Sequence, residues 1–266
     1  MRARRRPELA VLSVRGDDAR TWLNGQITND VRNTKPGDSV HALVLNVKGR
    51  ILADAIVIDR GERGLAIIIP ASEHAALREH LEKYVIMEDV ELVLEPLDVF
   101  DVVGAFEGEH FATAWRGEGS AIWIGQASTL DGIEAIDASA AELARIRDGR
   151  PAFGVDFGGT TYPQEAGLES AISFQKGCYL GQEVVCMLEN RGQLSRALTR
   201  LSTDALVAPG AKVTDVDGTD VGAVTSAIAS PEGALALAYV KRVALSDARA
   251  LRIDGVAARV LGPAKG

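Results

Sequence analysis

The sequence predicts an α+β fold. A layered, mixed region covers residues 1–195, and a small antiparallel β-barrel or sandwich covers 196–266. Three observations carry this prediction. In the first half, apolar strands interleave with short amphipathic helices. Phe153 to Gly167 is glycine-rich and irregular, a loop that can line a cavity. After residue 196 the chain breaks into short strands with frequent turn signals.

Each element follows from local pattern. Leu9–Val14 reads as a strand, and Asp17 or Asp18 is placed to cap a helix to about Leu23. Ser39–Val47 and Arg50–Asp59 alternate with apolar residues around Lys48-Gly49, which reads as a hairpin. Leu65–Ile69 is a buried strand ending at Pro70. Ser72 is placed to cap a helix to Lys83 or Tyr84, with Leu77 and Leu81 on one face. Val90–Leu94 is a strand closed by Pro96. Residues 1–95 therefore read as one α+β module of split βαβ type. The pattern recurs more weakly over 96–195. Val99–Ala105, Ala121–Gly125 and Gly132–Ile136 read as strands, and Ala138–Asp148 as a helix with Leu143 and Ile146 inward. Beyond 195, Leu198–Ser202, Lys212–Thr214, Asp220–Ala229, Ala234–Val240 and Leu251–Val260 are short strands. Asp217-Gly218 and Asp254-Gly255 mark turns.

Composition narrows the function classes. The 266 residues are 47% hydrophobic and 25% charged, with a net charge of −8. That is ordinary for a globular chain of one large or two modest domains, and no overall basic field draws nucleic acid or an anionic membrane. The arginine-rich start, Arg2 to Arg6, reads as a solvated tail. The apolar run after it, Leu9 to Val14, is too short for a signal-peptide core. No stretch approaches about 20 apolar residues, so no membrane span is expected. The two cysteines, Cys178 and Cys186, would lie about 12 Å apart on a helix, beyond disulfide reach. With no metal-type Cys spacing, this is the cysteine usage of a reducing cytoplasm, and no intrinsic metal is expected.

The chemistry concentrates in one octapeptide, Lys176-Gly177-Cys178-Tyr179-Leu180-Gly181-Gln182-Glu183. Its glycines allow a tight loop that presents a thiol and then enters a helix, Gln182 to Asn190. Lys176 and the helix N-terminus would both favour a thiolate at Cys178. Gln182 and Glu183 suit the helix start. Among other candidates, Asp54 stands on the Arg50–Asp59 strand, Arg191 follows the short helix, and the four histidines are scattered.

The octapeptide resembles the signature of the YgfZ family, relatives of the glycine-cleavage T protein, a folate-dependent aminomethyltransferase. Tyr162-Pro163-Gln164-Glu165, Ile172-Ser173-Phe174, Asn190-Arg191-Gly192, the run Arg145 to Pro151 and the opening Leu23 to Asp30 resemble the same family. The resemblance implies two ferredoxin-like α+β modules around a central folate cavity, then a C-terminal β-barrel. It implies tetrahydrofolate or a derivative as ligand, with Asp54 facing its reactive end and Arg191 within reach of its anionic tail. It implies a role in assembly or upkeep of iron–sulfur enzymes, tRNA-thiolating ones among them, with Cys178 as the working thiol. The partners would be iron–sulfur proteins or assembly factors, with no direct nucleic-acid contact.

Two departures argue against glycine cleavage. Arg147 stands where T proteins carry a glutamate, and a guanidinium has no acceptor for the pterin's donor edge. Pro70 falls near a T-protein asparagine. A true aminomethyl- or methyltransferase, and a ligand-free interaction module, are the alternatives.

Overall fold

The computed structural model describes the chain except residues 105, 107, 118, 193 and 247–249 and the side chains of Ala114 and Arg191. Two compact units emerge. One comprises Met1–Asp137 with Ala171–Gln182, the other Ala138–Ser170 with Glu183–Gly266.

The first unit runs β1 (Arg2–Arg5), β2 (Leu9–Arg15), α1 (Ala19–Gln26), β3 (Ser39–Leu45), β4 (Ile51–Asp59), β5 (Leu65–Pro70), α2 (His74–Glu82), β6 (Glu91–Glu95), β7 (Asp98–Val103), β8 (His110–Ala112), β9 (Ser120–Gly125) and β10 (Glu134–Ala135). These strands form two five-stranded sheets, ordered β3-β4-β5-β2-β6 and β10-β1-β7-β9-β8. The inner part of the first sheet, β4 and β5 above all, is buried on both faces, so these strands read as continuous apolar runs. Ala53, Ala55 and Val57 of β4 pack with Trp22 and Leu23 of α1 and Leu77 and Leu81 of α2. Ile56 and Ile58, on the opposite face, pack with Val99, Phe111, Ile122 and Ile124 of the second sheet. The alternation of side chains along a strand thus puts Asp54 on the face turned toward the second sheet.

Several local expectations are corrected. The arginine-rich start is not a tail but strand β1, antiparallel to β7. The reason is charge: Arg5 meets Asp98 and Arg6 meets Asp101, each at 2.6 Å. Asp18 does not cap α1. Its carboxylate accepts from the Asp89 N–H at 2.8 Å, and the helix continues to Gln26. Ser72 does not cap α2, which starts at His74 without a side-chain cap. The strand expected over 99–105 ends at Val103, with Ala105 outside the described residues, and the strand expected over 132–136 shrinks to Glu134–Ala135.

The second unit holds α3 (Ala138–Asp148) and, from Glu183 on, α4 (Gln182–Arg191). β11 (Arg196–Thr203), β12 (Lys212–Asp215), β13 (Asp220–Ser230), β14 (Gly233–Lys241), β15 (Leu251–Ile253) and β16 (Val256–Pro263) close a barrel in the order β11-β14-β13-β12-β15-β16. Leu201, Val213, Val224, Ala238 and Ile253 are among the residues that fill it. The stretch expected as strand over 251–260 is a hairpin that turns at the predicted Asp254-Gly255 signal, where both residues take positive φ, 46° and 86°. Ile146 of α3 packs on Leu198 and Leu237, while Leu143 is half-buried. The α+β class and the C-terminal barrel are those the sequence predicts. No helix of the described residues is long and apolar enough to cross a membrane.

Candidate functional site

The octapeptide ends a strap, residues 171–182, that lies on the first unit. Its anchor is Lys176, which is buried and gives its three ammonium protons to backbone carbonyls of one segment. The distances are 2.5 Å to Asn24, 2.8 Å to Ile27 and 2.8 Å to Asn29. Burial pushes its pKa down to about 8, although Asp30 acts the other way. The Arg32 hydrogen bond in turn holds Asp30 down to about 2. Sequence adjacency suggested that Lys176 serves Cys178, but the ammonium's hydrogen bonds all run to the 24–29 segment.

Three further bonds tie the same strap down, and a fourth links the anchor residue Thr28 to β3. Ser173 N–H donates to Thr28 O at 3.0 Å and Leu180 N–H to Gly25 O at 3.2 Å. The Thr28 hydroxyl donates to Ala171 O at 2.6 Å and accepts from Leu43 N–H at 2.8 Å, linking strap to β3. Gly181 has φ +82°, and a Cβ there would sit 2.6 Å from Asn46 O in the β3–β4 turn. Gly177, by contrast, stands in open space. Tyr179 is buried, its ring centroid 5.3 Å from the Lys176 Nζ. Gln182 Oε1 accepts a long bond from Tyr179 N–H, 3.4 Å. The result of this anchoring is that Cys178 is presented on the surface as a free thiol, while free Cys186 is half-buried on α4.

The second candidate group lies across the β3–β4 hairpin. Leu43 is directly opposite Asp54, so His41 is its diagonal neighbour on the same face. His41 Nε2 lies 2.6 Å from Asp54 Oδ1. The imidazole stacks on Trp115, with centroids 5.6 Å apart and planes 7° from parallel. Burial raises the Asp54 pKa, but the charge and hydrogen bond of His41, then Arg116 and Arg6, outweigh it and hold the carboxyl below its usual range. Asn29 joins the two groups. Its carbonyl accepts from Lys176, and its side-chain amide donates to His41 O at 2.9 Å. The strap, the 24–30 segment and Asp54 are therefore one connected assembly within the first unit. His41 and Asn29 were not singled out from sequence. The signal was available: the hairpin register alone places His41 beside Asp54.

The remaining sequence candidates lie in the second unit. Arg147 is exposed on α3, and its carbonyl accepts from Arg200 at 3.0 Å. Glu183 is exposed in the first turn of α4. Arg191 ends α4, and its side chain lies outside the described residues. Sequence reasoning also missed Asp156, which the glycine-rich loop buries completely. Asp156 takes Arg145 Nη1 at 2.6 Å, Ser226 Oγ at 2.6 Å and Ala152 N–H at 2.9 Å. Among the described residues no group of three or more His, Cys, Asp or Glu side chains is arranged to hold a metal ion.

Comparison with known proteins follows from this geometry. Residues 8–105 match the GCVT N-terminal domain. The chain is 28% identical to the tRNA-modifying protein YgfZ of Cronobacter sakazakii, over 73% of this chain and 68% of that one. It is 23% identical to a mitochondrial iron–sulfur cluster assembly factor IBA57 homolog of Neurospora crassa, over 71% of this chain. Some relatives are longer. The chain spans 50% of that Neurospora protein and 64% of a chloroplast protein of Arabidopsis thaliana to which it is 24% identical over 88% of its own length. The crystal structure of the glycine cleavage system aminomethyltransferase T from Bartonella henselae shares the fold, with a TM-score of 0.83 over 97% of this chain and 84% of that one, at 20% identity. The match places a GCVT N-terminal domain at residues 8–105, on a fold shared with a glycine-cleavage aminomethyltransferase. In sequence the chain is similar to YgfZ and IBA57 proteins.

Proposed function

We propose that this chain is a folate-binding accessory protein of the YgfZ type. In this reading it supports assembly or maintenance of iron–sulfur enzymes, tRNA-modifying ones included, in the cytoplasm, and Cys178 is its working thiol. The observation that carries the reading is the connected assembly of the first unit. The strap is bonded along its length to the 24–29 segment, more than a surface loop with no role needs, yet it ends in an exposed thiol. Buried bonds fix its base, and Asn29 ties that base to a carboxylate kept ionised. The relatives named for tRNA modification and iron–sulfur assembly support the same reading.

The donor set fits a folate. Asp54 is 23% exposed at the side chain, and His41 occupies only one of its oxygens. The other oxygen is an acceptor for an N–H or a cationic nitrogen of a reduced pterin. A bound tetrahydrofolate would supply one-carbon chemistry at nitrogen. The chain's own contribution is a carboxylate that stabilises positive charge there. Arg147 and Arg191 are further folate-binding candidates by the resemblance.

Calorimetry with tetrahydrofolate tests the reading. Binding should be measurable, and an aminomethyl-transfer assay with the same preparation should show no turnover. Arg147→Glu should tighten binding about 5- to 150-fold, the equivalent of satisfying donors worth roughly 1–3 kcal/mol. Weaker binding by Arg147→Glu would remove Arg147 from the folate site. Turnover that survives Cys178→Ala would favour a folate-dependent transferase instead.

A further inference from the structure

The β3–β4 hairpin carries a pairing that the family resemblance did not supply. His41 is 9% exposed, bonded through Nε2 to Asp54 and flattened against Trp115. Its other ring nitrogen, Nδ1, is buried with no hydrogen-bond partner among the described residues. Asp54 has His41 as its one hydrogen-bond partner among them, on Oδ1. We infer that His41 is the positioning residue of Asp54, fixing the carboxylate so that Oδ2 faces outward as the acceptor for a ligand with an N–H or cationic nitrogen.

Three physical points carry this. First, a short aspartate side chain on a strand has free rotation at χ2, and one hydrogen bond from a fixed donor removes it. The donor here is fixed, because the imidazole plane is set by the Trp115 face and the His41 backbone is held by the Asn29 amide. Second, Nδ1 has nothing to bond, so it makes no competing demand on the orientation of the ring. Third, the surrounding charges are already paired with one another. Arg6 bonds Glu8 and Asp101, and Arg116 bonds Asp101, at 2.5–2.9 Å. They act on Asp54 through space, which leaves His41 as its contact partner. The ligand class rests on the folate reading above; the positioning role does not.

The test uses the full chain. His41→Phe keeps an aromatic face on Trp115 and removes the donor. His41→Gln keeps an N–H at similar reach. Carbon-13 NMR titration of the Asp54 carboxyl reads the pair directly, with thermal melts to confirm that each variant folds. In His41→Phe the Asp54 carboxyl should become about tenfold less acidic, and His41→Gln should recover part of that change. Tetrahydrofolate affinity should fall about 5- to 10-fold in His41→Phe and recover in His41→Gln. In an Asp54→Asn background the same substitution should leave affinity unchanged. An Asp54 titration that His41→Phe leaves unmoved overturns the positioning role. If wild type does not bind tetrahydrofolate, the folate reading fails while the titration still decides the role of His41.

Discussion

Two cations, a buried lysine and a part-buried arginine, hold loops in place, one in each unit, and their partners are of opposite kinds. Lys176 of the first unit gives all its protons to neutral backbone carbonyls. Arg145 of the second unit lies between carboxylates, Glu142 at 2.7 Å and Asp156 at 2.6 Å. Burial disfavours the charge in both. In Arg145 the carboxylates outweigh burial and raise the pKa above its usual value; in Lys176 burial wins and lowers it to about 8. The comparison teaches that a loop can be fastened by charge–charge pairing or by charge–dipole bonding. Only Lys176, an ammonium with a lower intrinsic pKa and no carboxylate bonded to it, is left close to losing its proton near neutral pH.

The comparison can be broken most forcefully in the second unit. Asp156→Ala leaves the part-buried Arg145 without its fully buried counter-ion and should cost about 3 kcal/mol, read from denaturant unfolding. A loss below about 1 kcal/mol would show that Glu142 alone sustains the charge.

The next effect belongs to Lys176. Lys176→Met keeps the apolar stem but strands three carbonyls, and should cost about 3 kcal/mol at pH 7. The pH dependence sharpens the contrast. A lysine with a lowered folded pKa sheds its proton in the folded chain through about pH 8 and in the unfolded chain only near 10.5. Between those values the unfolded state binds more protons, so stability rises with pH. The unfavourable contribution is fully present below about pH 8. Wild type minus Lys176→Met should therefore gain stability from pH 8 toward 10.5, and Arg145→Met should show no such difference. A flat wild-type-minus-Lys176→Met difference would mean that the carbonyls hold the proton as firmly as carboxylates do.

A smaller effect separates the two glycines of the strap. Gly181→Ala meets Asn46 O and a positive φ, and should cost about 1–3 kcal/mol. Gly177→Ala enters open space, and its cost should stay within about 0.5 kcal/mol. Equal costs would contradict the seating of the strap on the β3–β4 turn.

These residues also show what the sequence revealed. The octapeptide stood out because glycines, a thiol and a lysine together are specific, the Leu23–Asp30 run by its resemblance alone, and the structure joins those two segments. The barrel was legible because Asp217-Gly218 and Asp254-Gly255 cut the chain into short strands. What escaped depends on long-range pairing. Arg2–Arg5 looked like a tail because Asp98 and Asp101, which hold Arg5 and Arg6, are more than ninety residues away. His41 looked isolated because its partner is across a hairpin. Lys176 was assigned to its nearest sequence neighbour, whereas its acceptors are about 150 residues earlier. Asp156 hid in a loop whose composition spoke only of irregularity.

The central claim is that the strap exists to present Cys178. It is tested most directly by complementing a strain that lacks this gene with wild type or Cys178→Ala and measuring the activity of an iron–sulfur enzyme. Cys178 is exposed, so the alanine variant should fold and accumulate as wild type does. The account predicts that wild type restores enzyme activity and that Cys178→Ala, at equal abundance, does not. Full restoration by Cys178→Ala would contradict it.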